Sequence, residues 1–417
     1  MIKSLLISLF AIVTGISVYY LFSYKKAEDP IKVGILHSLT GTMAISENPV
    51  KESTLLAIKE INANGGLLGR QIVVILRDGK SDWPTFAREA EKLIVEDKVS
   101  VVFGAWTSAS RKTIKPIFEK HNHLLFYPVQ YEGLESSPNI IYTGAAPNQQ
   151  IIPAVKWAFD NLGKKFFLVG SDYIFPHTAN EIIKDLISSL GGHVLGEEYI
   201  LLGSHAVDEI IKKIVAAKPD VILNTINGDS NLAFFKALRA AGMTSEKIPT
   251  ISFSIAEQEL QAMGNAAAFE GDYAAWNYFQ SIPSQKNDEF VSKFKSEYGN
   301  NRVTDDPIEA GYFGVYLWAK AVTDAGTDNI KKVLKTLPKQ SYEAPEGMVF
   351  IDGKNHHTWK TVRIGKILAN GQFEIVWSSD KPIRPAPYPL SRTKTDWDGT
   401  LENLYEGWDK QWEKPGI

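Results

Sequence analysis

The chain reads as an α/β protein made of two doubly wound lobes, and three observations predict this. Short apolar runs alternate with amphipathic helical stretches from Ile31 onward, the pattern of parallel strands covered on both faces by crossover helices. About ten such units precede residue 280, more than one open sheet comfortably holds, so two sheets are expected. After residue 343 strands follow one another without helices between them, so the chain ends in antiparallel hairpins.

The elements follow in order. "IKVGILHS" is a buried strand, and Leu55, Ile58 and Ile61 mark a helix that ends at Gly65-Gly66. "QIVVILRDG" is the second strand, and Pro84 opens the next helix. "VSVVFGAW" is the third, followed by a helix that Pro116 is expected to kink or split. "HLLFYPV" is the fourth. Helices and strands then alternate through "KKFFLVGSDY", "HVLGEEYI", "VILNTI", "IPTISFSI" and "GDYAAWNY" to the long helix carrying Trp318. "GMVFID", "TWKTVRIGKI" and "QFEIVWS" are the late strands, the last two joined by an Asn370-Gly371 turn. The Pro- and Trp-rich end reads as a surface extension with a short helix near Trp408 and Trp412.

Composition narrows the function. The 417 residues are 44% hydrophobic and 22% charged with a net charge of −3, which is ordinary for globular domains and gives no nucleic-acid signature. There is no cysteine, so disulfides, thiolate metal sites and a thiol nucleophile are excluded. Residues 4–24 carry no charge and lie between Lys3 and Lys25-Lys26. Two readings stand for this segment, a long signal peptide and an uncleaved anchor to the inner membrane. Either places the body outside that membrane, in the periplasm.

In doubly wound lobes, ligands bind at the carboxyl ends of the strands. Those ends hold Trp106, Ser108, Tyr127 to Tyr131, Tyr173, Asp229 and Trp276: aromatics, hydroxyls and amides, with hardly a Lys or Arg. Such a set suits a small neutral ligand better than a phosphate. "GGLLGR" lies between helix and strand, the wrong order for a phosphate loop, and reads as a turn. The histidine pairs His121/His123 and His356/His357 lack metal-helix spacing. Ser108 sits where a nucleophile could, but its simpler reading is a helix-cap hydroxyl that also donates to ligand. Trp106 and Trp276 have two readings, core residues or walls of a cleft. Glu309 reads most simply as a solvated first-turn carboxylate, with a cleft-facing one as the alternative.

Taken together, "IKVGILHSLTGTMA", "INANGGLLGRQI", "FGAWTSASRKTIKPIFEK", "LLFYPVQYEGLESSPNIIYTGAAPNQQ", "GSDYIFP", "TINGDSN", "AAWNYF", "DPIEAGY" and "PIRPAPY" resemble the urea and short-chain-amide branch of the type I periplasmic binding proteins. They look closest to the urea-binding components of bacterial urea ABC transporters. The resemblance implies two Rossmann-like lobes on a hinge: 31–145 plus 275–343 as lobe one, and 146–274 plus 344–390 as lobe two. Residues 1–30 would be the signal or anchor, and 391–417 a C-terminal extension. It implies urea or a small amide as ligand, permease subunits as partners, no cofactor and no catalysis. It places the ligand among Trp106, Ser108, Tyr127, Val129, Gln130, Tyr173, Asp229 and Trp276. Ser108 would donate to the ligand carbonyl, Gln130 and Asp229 would accept its N–H groups, and the aromatics would sandwich it. Amide sensors resemble the same span but tend to have threonine and proline where this chain has Val129 and Gln130. Two alternatives to urea transport stay open, a short-chain amide receptor and a membrane-tethered sensory subunit.

Overall fold

The computed structural model describes residues 29–415, so the segment read as a signal or anchor lies outside the described residues. Lobe one is built on β1 (Ile31–His37), β2 (Ile72–Asp78), β3 (Val102–Gly104), β4 (Leu125–Tyr127) and β5 (Ile140–Tyr142). All pairs are parallel, in the order β2-β1-β3-β4-β5. Helices α1 (Ala44–Ala63), α2 (Trp83–Val95) and α3 (Ser108–Lys120) make the crossovers. Their starts are set locally: Asp82 accepts from Thr85 N at 2.9 Å, and Thr107 from Ser110 N at 3.0 Å. The three-residue β5 was not foreseen; it follows β4 through an irregular loop rather than a helix.

Lobe two holds β6 (Lys165–Ser171), β7 (His193–Ile200), β8 (Val221–Thr225), β9 (Thr250–Ser252) and β10 (Tyr273–Trp276), parallel and connected through α5–α8. Those helices are α5 (Ile174–Leu190), α6 (Asp208–Ala217), α7 (Ser230–Ala240) and α8 (Glu257–Met263), and α4 (Ile151–Asn161) leads in from lobe one. The chain then returns through α9 (Gln285–Tyr298), α10 (Asp306–Ala325) and α11 (Ile330–Thr336), with α10 packed on α1. A small antiparallel sheet follows, β11 (Ser341–Ala344), β12 (Gly347–Ile351) and β13 (Thr358–Trp359). Then β14 (Arg363–Ile367) and β15 (Phe373–Ser378) add antiparallel to the edge of lobe two, giving β15-β14-β10-β9-β8-β6-β7.

Several expectations are corrected. Pro116 does not break α3, which runs through it from Ser108 to Lys120 with Pro116 on its exposed face. The run "TWKTVRIGKI" is two strands in two different sheets, with the lobe crossover between them. Ala275 and Trp276 pair with β14 in the lobe-two sheet, so the return to lobe one begins after them rather than at 275. The C-terminal helix is α12 (Lys394–Gly407), longer than expected and ending just before Trp408. Glu309 is fully buried rather than solvated.

The three crossovers meet at one carboxamide. Asn277 Nδ2 donates to Gln149 O at 3.1 Å and to Thr361 O at 3.0 Å, so a single side chain of the second crossover bonds the first and third. The backbone N–H groups of Asn277 and Tyr278 both donate to Asp306 Oδ2 at 2.9 Å. Buried Lys360 adds a bond to Thr143 O at 3.0 Å and lies 3.4 Å from Glu346. This is a hinge in which each strand of chain is bonded to its neighbours.

Candidate ligand cleft

The carboxyl ends of the two sheets face each other across the hinge. On lobe one, Gly104 (φ +151) permits the turn out of β3, since a Cβ there would lie 2.0 Å from Leu36 O. The turn delivers Trp106 and starts α3 at Ser108. Tyr127 closes the next strand end, and its hydroxyl donates to Trp106 O at 2.5 Å. Val129 and Gln130 then run beside the first crossover, with Tyr131 N donating to Ala145 O at 3.1 Å. Gly144 makes that approach possible, because a Cβ there would lie 2.0 Å from Val129 C.

Beneath this rim lies a buried ionic network. Arg111, with no exposed surface, donates to Ser108 Oγ (3.0 Å), Glu132 Oε1 (3.2 Å) and Glu135 Oε1 (3.0 Å). Ser108 Oγ in turn donates to Glu132 Oε2. Burial works against the Arg111 charge, but Glu135 and Glu132 outweigh it and raise its pKa. Burial likewise pushes Glu135 up, yet Arg111 and Lys112 hold it well below the usual carboxylate range. Tyr131, Tyr142 and His357 stack beside the network, and burial lowers His357 to about 3, so it is neutral.

On lobe two, Tyr173 caps α5 and is buried. Asp229 stands before α7, half-buried, and accepts from Thr42 Oγ1 of lobe one at 2.5 Å. Two further bonds cross the cleft: Gln130 Nε2 to Phe253 O at 2.7 Å, and Ser46 Oγ to Glu259 Oε1 at 2.7 Å. The lobes are therefore closed on each other.

The structure brings most of the expected residues to one cleft, with two changes of role. Trp276 is not a wall. Its indole donates to Ile255 O at 2.8 Å and its ring belongs to the lobe-two core with Ile255, Ala256 and Phe279. Ser108 spends its hydroxyl proton on Glu132, so that group is not a free donor. Groups left without a partner here include Trp106 Nε1, Gln130 Oε1, Gln150 Oε1 and Ser230 Oγ, all buried. The orientation of Gln130 follows from chemistry: Phe253 O only accepts, so the carboxamide must present its NH₂ there and turn its oxygen elsewhere. Sequence reading missed Thr42 and the Arg111 network, and it placed Phe253 at a strand end without choosing it as a site residue. Phe253 contributes a backbone atom, which no residue pattern reveals, while Arg111 in α3 and Glu132 in the loop after β4 lay within the motifs quoted above. Among the described residues no group of three or more His, Asp or Glu could hold a metal ion.

Comparison with known proteins agrees with this architecture. The periplasmic binding protein domain family matches residues 31–394. "Leu/Ile/Val-binding protein homolog 6" of Brucella melitensis is 23% identical over 85% of this chain and 92% of its own. A Geobacillus stearothermophilus protein named limonene hydroxylase is 35% identical, but over 143 residues only, so this chain spans 26% of its length. A Rhodopseudomonas palustris solute-binding protein in complex with 4-hydroxybenzoate superposes with a TM-score of 0.76 at 21% identity, over 84% of this chain and 97% of that one. A branched-chain amino acid binding protein of Streptococcus pneumoniae, with isoleucine bound, gives 0.73 at 21% identity, over 85% and 100%. These full-length relatives are solute-binding proteins of ABC transporters rather than enzymes. The chain belongs to the periplasmic binding protein family and has its type I fold.

Proposed function

We propose that the protein binds urea outside the inner membrane and delivers it to the permease of an ABC transporter. The observation that carries the reading is Gln130, a buried carboxamide whose oxygen has no partner and whose orientation is fixed from the opposite lobe. An orphaned acceptor in a closing cleft calls for a ligand N–H, and one left unpaired costs about 1–3 kcal/mol. Urea brings four N–H groups and one carbonyl acceptor. In this reading Gln130 Oε1 accepts from an amide, and the unpaired indole N–H of Trp106 replaces Ser108 as a donor to the carbonyl. Tyr127, Val129 and Tyr173 line the plane, and Asp229 holds the rim shut through Thr42.

Charge supports a neutral ligand. An amino acid or a benzoate carries a carboxylate, which a free cation in the cleft would favour. Arg111, next to Ser108, is already committed to Glu132 and Glu135. The remaining lining residues carry no positive charge. A short-chain amide is the second reading, since it shares the same donor and acceptor.

Calorimetric titration with urea, thiourea, acetamide, leucine and benzoate tests both. Saturable heat with urea is expected. Binding of leucine or benzoate without urea would overturn the assignment, and binding of acetamide alone would select the second reading.

A further inference from the structure

The C-terminal extension does more than cover a surface. Helix α12 rests on α5 of lobe two through Arg392, whose Nη2 lies 2.7 Å from both Glu181 Oε2 and Asp185 Oδ1. Trp408 then meets His177 of α5 edge-on at 4.9 Å. Asp409 and Lys410 adopt positive φ (+51 and +60), and the chain turns back. Residues 412–414 run antiparallel to 172–174. Ile174 N donates to Trp412 O at 3.0 Å, Lys414 N donates to Asp172 O at 3.1 Å, and Tyr173 faces Glu413 as a bridge pair.

The same segment also touches lobe one. Lys112 Nζ of α3 lies 5.0 Å above the Trp412 ring. Glu413 lies near the start of α2, where burial raises its pKa, the neighbouring Trp83 ring opposes that shift, and Asp82 adds to it. One short stretch of chain therefore carries backbone bonds to the residues flanking Tyr173 and side-chain contacts to the opposite lobe.

We propose that residues 408–414 form a strap that positions Tyr173 at the cleft and fastens the two lobes in their closed arrangement, so that it sets how long ligand is retained. The proposal rests on Tyr173 belonging to the ligand site. Contacts made only in the closed state add to the ligand's apparent affinity, because they shift the opening equilibrium. Their loss speeds release more than it slows capture.

The test compares the full chain with three variants: a stop after Gly407, Trp412→Ala, and Trp412→Phe, which keeps an aromatic face for Lys112. Stopped-flow urea binding is expected to show release about tenfold faster for the truncation and severalfold faster for Trp412→Ala, with capture rates unchanged. Trp412→Phe should restore slow release. Equal release rates across all four proteins would overturn the strap, as would a uniform loss of capture and retention that tracks melting temperature. If the parent chain binds no urea, the ligand assignment fails by itself. The strap is then judged without ligand, by small-angle scattering and by hydrogen exchange at residues 172–174. A more open, less protected truncation supports it, and identical profiles overturn it.

Discussion

On lobe one the polar groups at the cleft rest on a finished ionic network. Arg111 satisfies Ser108, Glu132 and Glu135 at once, and Lys112 reaches Glu135 at 3.2 Å from the other side. On lobe two the facing rim rests on neutral hydrogen bonds instead, Asn224 Nδ2 donating to Asn231 Oδ1 at 3.0 Å and to Ser252 Oγ at 3.1 Å. Its backbone carbonyl at Phe253, its half-buried Asp229 and its buried Glu259 find partners in lobe one. Tyr173 is backed by the chain's own C-terminus. The contrast teaches a division of labour. Lobe one is a floor held by buried charges of its own, and lobe two is a cover with three polar groups that meet lobe one on closing.

The floor can be broken from beneath. Arg111→Met leaves Glu132 and Glu135 buried with Lys112 as their ion-pair partner, and removing one partner of a buried ion network costs about 3–5 kcal/mol. A comparable fall in stability is expected in guanidinium chloride unfolding, urea being unsuitable as denaturant for a protein proposed to bind it. A loss below about 1 kcal/mol would mean that the floor is not prestressed by these charges. Gln130→Ala comes next in size and tests the join between floor and cover. It removes the orphaned acceptor and the bond to Phe253 O, so urea affinity should fall about 10- to 100-fold by calorimetry, with the melting temperature nearly unchanged. Unchanged affinity would relegate "YPVQYEG" to a structural loop.

The comparison also has a pH signature. Glu135 on the floor is held low, so its stabilisation persists from neutral pH far into acid. On the cover, burial raises Glu257 to about 8, the Gln280 N–H opposing this and Glu259 and Asp306 adding to it. Asp305 of the floor is raised as well, by burial and by Glu259 and Glu257 across the interface. A carboxyl whose folded pKa lies above its unfolded value of about 4.3 binds its proton more tightly in the native state. Stability should therefore decline as pH rises from about 5 to 8 and level off above that. Guanidinium unfolding at several pH values should show this slope, and Glu257→Gln should reduce it. A slope unaffected by the substitution would mean that Glu257 does not titrate in this window.

The fold was legible because its signals are local. Strand-length apolar runs, Pro84 at the head of a helix and the Asn370-Gly371 turn each act within a few residues, and the structure has all of them. The strand ends were legible too, so Trp106, Tyr127, Gln130, Tyr173 and Asp229 arrive at one cleft. What the sequence hid depends on partners far along the chain. Trp276 sits at a strand end like Trp106 and both rings are buried among core residues, but only Trp276 has a partner for its indole N–H, Ile255 O. Glu309 looked like a first-turn carboxylate until the loop bearing Glu346 covered it, with Glu346 N donating to Glu309 Oε1 at 3.2 Å. Helix α12 and the strap read only as a surface extension with a short helix, because their contacts lie some 200 to 300 residues away, at Asp172–Ile174, Asp185 and Lys112.

The smallest expected effect isolates the cover. Asp229 is half-buried and accepts from Thr42 across the rim, so the pair forms on closing and is partly exposed to water. A bond of this kind contributes about 0.5–1.5 kcal/mol. Asp229→Ala should thus weaken urea binding about 2- to 12-fold, and Thr42→Val should do the same. If the Thr42–Asp229 bond is the whole of Asp229's role, the double variant should lose no more than either single one. A larger loss for Asp229→Ala than for Thr42→Val, with the double variant matching Asp229→Ala, would show that Asp229 also meets the ligand directly. That outcome would restore the acceptor role implied by its position beside α7 and extend the ligand surface onto lobe two, so the cover would share in recognition as well as in closing.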